Sequence, residues 1–212
     1  MPKPLYTEID FPEIVRQAID LANQLKFPLM PEGRTIGSKG PPSACIPSFG
    51  RLLRVLSAGK PGGLIGEAGS GAGVGTAWLA SGLVSGARLI SVELNPFLAN
   101  AVSELFRDYP DVDVRHGDWR EVMLADAPFD LLFLDAGIKT DLVQLNWDFI
   151  VDLVKIGGQI LFDDLTPVDL WPPSWEHITD QKREFAFANN RVLGTEVRTT
   201  TTTAALILTR IL

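Results

Sequence analysis

Leu64 to Gly75, LIGEAGSGAGVG, is an apolar strand that ends in a carboxylate, Glu67, and runs into glycines at 69, 71 and 73. Apolar residues resume at Val74, Ala77, Trp78, Leu79 and Ala80, the spacing of a helix that starts beneath the loop. A strand, a glycine turn and a helix N-terminus make a cradle for a nucleotide-like ligand, because glycine lets the backbone approach it and free helix N–H groups point at it. The register of the glycines narrows the ligand. A dinucleotide fingerprint needs G-x-G-x-x-G. Counted from Gly69, its last position falls on Val74; counted from Gly71, it falls on Thr76. The spacing present is acid-x-Gly-x-Gly-x-Gly.

Outward from this loop, strands and helices alternate. Arg88–Glu93 is a strand followed by a helix over Pro96–Arg107, and Val112–Arg115 leads into a helical piece around Trp119–Leu124. Phe129–Asp135, FDLLFLD, is a near-continuous apolar run, Asp141–Val154 is amphipathic, and Gly158–Phe162 is a buried strand ending in Asp163-Asp164. Such alternation predicts a parallel sheet covered on both faces. Before the loop, the spacing predicts helices over Glu13–Lys26 and Ser48–Ala58, separated by the Gly- and Pro-rich stretch PLMPEGRTIGSKGPPS. After Asp164 come the segment DLWPPSWEH, a helix around Asp180–Asn189, and two β-rich stretches, Arg191–Arg198 and Thr203–Ile211, which read as a closing antiparallel hairpin.

The chain has 212 residues, 46% of them hydrophobic, enough for one α/β domain: an N-terminal helical extension over 1–60 and a ligand-binding core over 61–212 with an insertion at 166–180. A net charge of −7 lacks the basic footprint of a nucleic-acid binder and favours a small-molecule partner. The single Cys45 excludes an intramolecular disulfide and suits a reducing compartment. The opening MPKPLYTEID carries no apolar h-region, and no apolar run reaches the roughly 18 residues of a membrane span, so a cytoplasmic protein without membrane contact is expected. A homodimer is compatible with this composition.

In an open parallel sheet the ligand lies at the carboxyl ends of the strands. Glu67, Glu93, Asp118, Asp135, Asp163 and Asp164 all fall there, and so many acids on one edge would repel unless donors or cations sit among them. Glu93, about 20 residues past the loop, is placed to accept hydrogen bonds from both ribose hydroxyls, since Asn95 can cap the next helix instead. Asp118 is placed to accept from an adenine amino group and to cap the Trp119 helix, two roles that can hold together, and Trp119 offers an apolar or stacking wall. Trp171 and Trp175, with Pro172 and Pro173, form either a lid over an aromatic or apolar acceptor or a cover for the sheet edge.

The acid-x-Gly-x-Gly-x-Gly pattern resembles the first motif of the class I S-adenosylmethionine-dependent methyltransferases. That resemblance implies a Rossmann-like α/β fold, a mostly parallel seven-stranded sheet with a C-terminal antiparallel hairpin, and S-adenosylmethionine as the cofactor. It implies a cofactor site of Glu67, Gly69, Gly71, Gly73, Glu93, Asp118 and Trp119. From Ser43 to Leu165, with SFGRLL, LDAGIK and GGQILFDDL, the chain is similar to the small cation-dependent O-methyltransferases of the catechol and caffeoyl-CoA type. Carried over, this implies Asp135, Asp163 and Asp164 around Mg²⁺ or another divalent ion, and Asp135 and Lys139 as catalytic residues acting on a small hydroxylated acceptor. Two departures stand out: the family's asparagine is Asp164 here, and its lysine position falls on Ile138, one residue before Lys139. An NAD-type oxidoreductase, or a protein of this fold that binds the cofactor without turnover, are the competing readings.

Overall fold

A computed structural model describes residues 11–29, 43–136 and 147–212. One seven-stranded sheet runs through it in the order β3-β2-β1-β4-β5-β7-β6. Its strands are β1 (Leu64–Ala68), β2 (Arg88–Glu93), β3 (Val112–His116), β4 (Phe129–Leu134), β5 (Val154–Leu165), β6 (Val192–Arg198) and β7 (Ala204–Arg210). The first five are parallel, and β7 enters antiparallel between β5 and β6. The predicted α/β architecture with its closing hairpin is therefore the observed one.

Side chains alternate between the two faces, as the pleat requires. On one face, Ile65, Leu131, Phe133 and Leu161 pack beneath α1 (Glu13–Gln24), α2 (Pro47–Ala58), α3 (Val74–Ala80) and α4 (Pro96–Leu105). On the other, Leu132, Leu134, Ile160, Phe162 and Leu206 meet α5 (Trp119–Val122), α6 (Trp147–Asp152) and α7 (Gln181–Ala188). Gly50 brings α2 against the buried Trp78 of α3; a Cβ there would lie 2.2 Å from the indole Nε1.

Two boundaries differ from the periodicity. The helix expected to reach Leu83 stops at Ala80, because Gly82 passes so close to α2 that a Cβ would sit 2.3 Å from the Arg54 carbonyl. The strand expected from Gly158 begins at Val154, and the preceding helix ends at Asp152. Phe129 pairs with Val154 while Leu131 pairs with Gln159, so residues 155–158 bulge, turning at Gly157 with φ 82°. The first six residues of the amphipathic segment that begins at Asp141, and most of the Gly/Pro stretch before Ser43, lie outside the described residues.

The segment after β5 is anchored by Arg183. Its guanidinium bonds to Glu196 at 2.8 and 3.0 Å and to the Thr166 carbonyl at 2.9 Å, pairs with Asp180, and lies 5.4 Å from the Trp171 ring centroid. An Arg183→Ala variant is expected to lose about 2 kcal/mol of stability, since several part-buried acceptors would lose a charged donor at once. Urea denaturation at neutral pH measures it.

Candidate active site

The parallel strands end together on one edge, and the sheet order puts β1 and β4 side by side at the point where the chain reverses direction across the sheet. Gly69, Gly71 and Gly73 leave β1 with φ of 97°, 53° and 85°, all in the left-handed region that costs a Cβ-bearing residue. Space is short as well. A Cβ at Gly69 would lie 2.8 Å from the Ala136 backbone nitrogen, and one at Gly73 would lie 2.9 Å from Val102. The loop is thus held against β4 on one side and α4 on the other.

Glu67 lies directly beneath it and is fully buried. Its Oε2 accepts from the hydroxyls of Thr76 and Ser91, each at 2.5 Å, while Oε1 is buried without a hydrogen-bond partner. Ser70 joins the network through a 2.5 Å contact with Ser91. Burial pushes the Glu67 carboxyl from 4.5 up to about 7, against the pull of the Ser91 and Thr76 hydroxyls. This carboxyl therefore braces the loop and α3 from below; Gly75 gives it room, since a Cβ there would lie 2.5 Å from Oε1.

Glu93 closes β2 and reaches the loop directly. Its Oε2 accepts from the Gly71 N–H at 2.9 Å and its Oε1 from the Asn95 N–H at 2.8 Å. Asn95 caps α4, accepting from Phe97 N–H at 2.9 Å, so Glu93 is not needed as the cap. Leu94 and Phe97 beside it are 69% and 65% exposed, leaving an uncovered apolar surface next to the carboxylate.

Asp118 caps α5 through the Arg120 N–H at 2.9 Å and also pairs with the Arg120 guanidinium, whose hydrogen bonds hold its carboxyl below the usual carboxylate range. The capping role expected for Asp118 is formed. Trp119 is buried in the core layer, 6.3 Å from the Phe149 ring. Its ring is committed to packing on that side.

Asp135 follows β4, and its N–H is held by the Ala68 carbonyl at 2.9 Å. Asp163 and Asp164 sit where the β5–β7 register slips between Phe162 and Leu165, and Asp164 takes φ 63°, a conformation aspartate tolerates. Asp163 is buried and Asp164 half-buried. Asp135 is exposed at the end of β4. Desolvation first, then the charges of Asp164, Asp163 and Glu67, raise its carboxyl above the ordinary range. Cys45, just before α2, lies in the field of the same four acids, and burial followed by those charges keeps its thiol protonated.

The expected divalent-ion site does not assemble from these acids. Among the described residues, no three His, Cys, Asp or Glu side chains come together as a group that could hold a metal. Their carboxylate oxygens are the hard donors a divalent ion takes, and Asp164 in place of the family's asparagine adds a further negative charge. Lys139 lies outside the described residues. Lys182 of α7, which sequence reading did not single out, donates to the Asp163 main-chain carbonyl at 2.9 Å. A lysine on a polar helix carries no local signal of such a role. Ser91, a lone hydroxyl inside the apolar strand RLISVE, does carry one.

Residues 67–165 match the family model of a methyltransferase domain. A Mycobacterium tuberculosis protein named a probable O-methyltransferase is 33% identical over 99 residues, 44% of this chain and 44% of that protein. The chain spans about half the length of the curated relatives it matches. Among solved structures, an O-methyltransferase from Bacillus cereus in complex with S-adenosylhomocysteine superposes with a TM-score of 0.71 at 20% identity, covering 96% of this chain and 94% of that one. The O-methyltransferase TomG from Streptomyces achromogenes, in complex with S-adenosylmethionine, also gives 0.71, at 18% identity over 95% and 91% of the two chains. Residues 67–165 thus resemble a methyltransferase domain, and the fold is the one these solved methyltransferases share.

Proposed function

We propose that this protein transfers a methyl group from S-adenosylmethionine to the hydroxyl of a small molecule. The observation that carries this reading is the left-handed glycine loop at the β1 end, tied to the Glu93 carboxylate through the Gly71 N–H. When bound, the cofactor supplies a methyl already activated by its sulfonium. Gly69, Gly71 and Gly73 provide the backbone surface against which the donor's methionine end lies, with Glu67 bracing that surface from below. Glu93 takes the ribose hydroxyls, and the uncovered Leu94 and Phe97 flank the base. The Asp118 carboxylate, 28% exposed, accepts from the adenine amino group alongside its bonds to Arg120, with Trp119 beside it as the wall.

The acceptor end lies over β4 and β5. Asp135, the acid at the β4 end beside the loop, takes the proton of the acceptor hydroxyl as its oxygen attacks, and its raised affinity for protons suits that work. Lys139 would sit four residues further on in sequence. Much of the barrier lowering comes from aligning oxygen, methyl and sulfur, which can supply on the order of 7–11 kcal/mol. An aromatic acceptor is supported by the Trp171–Trp175 pair, whose rings meet edge-on at 6.0 Å in the segment after β5. The net charge of −7 speaks for a small molecule over nucleic acid, and the single thiol suits the cytoplasm. Among the described residues, no helix is long and apolar enough to cross a membrane.

Calorimetric titration with S-adenosylhomocysteine tests the donor site. Binding is expected, and Glu93→Ala is expected to weaken it about tenfold, the worth of a charged hydrogen bond. Binding of NAD with no response to S-adenosylhomocysteine would return the protein to the oxidoreductases. Binding without transfer to any of a broad panel of hydroxylated acceptors would mark a non-catalytic protein of the same fold.

A further inference from the structure

α1 ends in a turn that sends one aromatic ring toward the glycine loop. Lys26 follows the helix with φ 53°, and its N–H donates to the Asn23 carbonyl at 3.1 Å. The next N–H, that of Phe27, reaches back to the Ala22 carbonyl at 2.8 Å. These two bonds close the helix in a Schellman turn, whose left-handed position is most often glycine. A lysine held there is strained, and the chain after it leaves the helix in a fixed direction.

That direction leads to Gly71. A Cβ on Gly71 would lie 3.0 Å from Cζ of Phe27, and 3.5 and 3.7 Å from its two Cε atoms. The half-buried ring therefore meets the loop with its tip. Gly71 is also the residue whose N–H donates to Oε2 of Glu93 at 2.9 Å, so one loop residue is held by a ring and by a carboxylate. The approach is fastened beyond the ring as well. The Ala44 N–H donates to the Pro28 carbonyl at 2.8 Å, and Leu29 bridges the buried Ala44 in parallel, which clips the end of α1 to the chain entering α2.

We propose that Phe27 is a positioning residue for the donor: its ring pins Gly71, and through the Gly71 N–H keeps the Glu93 carboxylate turned toward the ribose hydroxyls. This rests on the reading of the glycine loop as the S-adenosylmethionine site. A loop without the ring would have to be ordered on binding, and that ordering is subtracted from the affinity. The tip-on contact also reverses the usual ranking of substitutes. Tyrosine is ordinarily the nearest replacement for phenylalanine, but its hydroxyl extends from Cζ, the atom already against Gly71. Leucine keeps apolar bulk without reaching as far.

Calorimetric titration with S-adenosylhomocysteine provides the test. Phe27→Ala is expected to weaken binding about tenfold and Phe27→Tyr by at least as much, while Phe27→Leu stays within about threefold of the parent. Gly71→Ala supplies the reciprocal arm. Its penalty should be smaller by roughly threefold or more in the Phe27→Ala background than in the parent, because the new methyl then has no ring to meet. Circular dichroism identifies which variants fold, and Phe27→Ala and Phe27→Tyr are each sufficient. A ring that only filled the core would lower the unfolding midpoint and leave the affinity of the folded protein where it was. Parent-like affinity in a folded Phe27→Ala or Phe27→Tyr variant overturns the proposal, as does an equal Gly71→Ala penalty in both backgrounds. No binding by the parent itself is a different failure, which removes the methyltransferase reading and the role of Phe27 with it.

Discussion

Glu67→Gln is expected to be more stable than the parent by about 3 kcal/mol at pH 8 and equal to it near pH 4. The carboxyl titrates from 4.5 when unfolded to about 7 when folded, because burial beneath the loop disfavours its charge. Below pH 4.5 both states hold the proton, and the site contributes its full stability. As the pH rises from 4.5 to 7, the unfolded chain ionises first and stability falls; above 7 both states are ionised and the loss is complete. The gap between the two values corresponds to about 3 kcal/mol at about 1.4 kcal/mol per pH unit. Glutamine can still accept from Ser91 and Thr76 through its carbonyl oxygen and has no charge to bury. Asp135 is raised too and slopes the same way; it is present in both proteins, so only the part of its shift that comes from the Glu67 charge enters the difference. Urea denaturation from pH 4 to 8 should show two curves that separate through the middle of this range. Parallel curves would mean that Glu67 ionises freely in the folded state.

Gly69→Ala is expected to weaken S-adenosylhomocysteine binding about 100-fold. Two costs combine at this position. A side-chain-bearing residue at φ 97° is strained by roughly 1–2 kcal/mol. The new methyl would also stand 2.8 Å from the Ala136 backbone nitrogen, and backbone at the end of a central strand cannot step aside as a flexible side chain can. The loop must shift away from β4, where both donor and acceptor are to meet. A combined cost of about 3 kcal/mol is a factor of roughly 100 in affinity. Gly62→Ala is the control: φ is 66°, nothing lies within 4 Å of its Cβ, and it precedes β1 at the other end of the strand. It should lose about 1 kcal/mol of stability and leave binding unchanged. Calorimetric titration of both variants makes the comparison.

β1, β2 and β4 were legible because a parallel sheet covered on both faces needs largely apolar runs, and LIGEA, RLISVE and FDLLFL are such runs bounded by turn residues. The hairpin was legible because β-branched residues crowd its ends. Where Gly82 and Gly157 set the boundaries, the cause was a distant neighbour or a bulge, and no local pattern encodes either. The site divided the same way. Glu93 was readable from its distance to the loop and from Asn95 standing ready as the cap. Asp118 was readable as the cap of the Trp119 helix, although its pairing with the Arg120 side chain was not. Trp119 read as a wall from its neighbours in sequence, although the helix it opens turns the ring inward to Phe149. Glu67 carried no sign that its partners would be hydroxyls from β2 and α3. Lys182 was invisible, because its meaning depends on a contact with a residue 19 positions earlier.

The strand order has a consequence for how the molecule comes into being. β6 is made before β7, yet β7 is its sole neighbour in the sheet and lies between it and β5. While β6 leaves the ribosome it has nothing to pair with, and β5 presents an open edge, the kind of surface on which another chain can add. Both are closed by a single event, the insertion of Ala204–Arg210, which seven register pairs with β6 then lock. Assembly of this sheet is therefore completed from the inside, by the strand synthesised last.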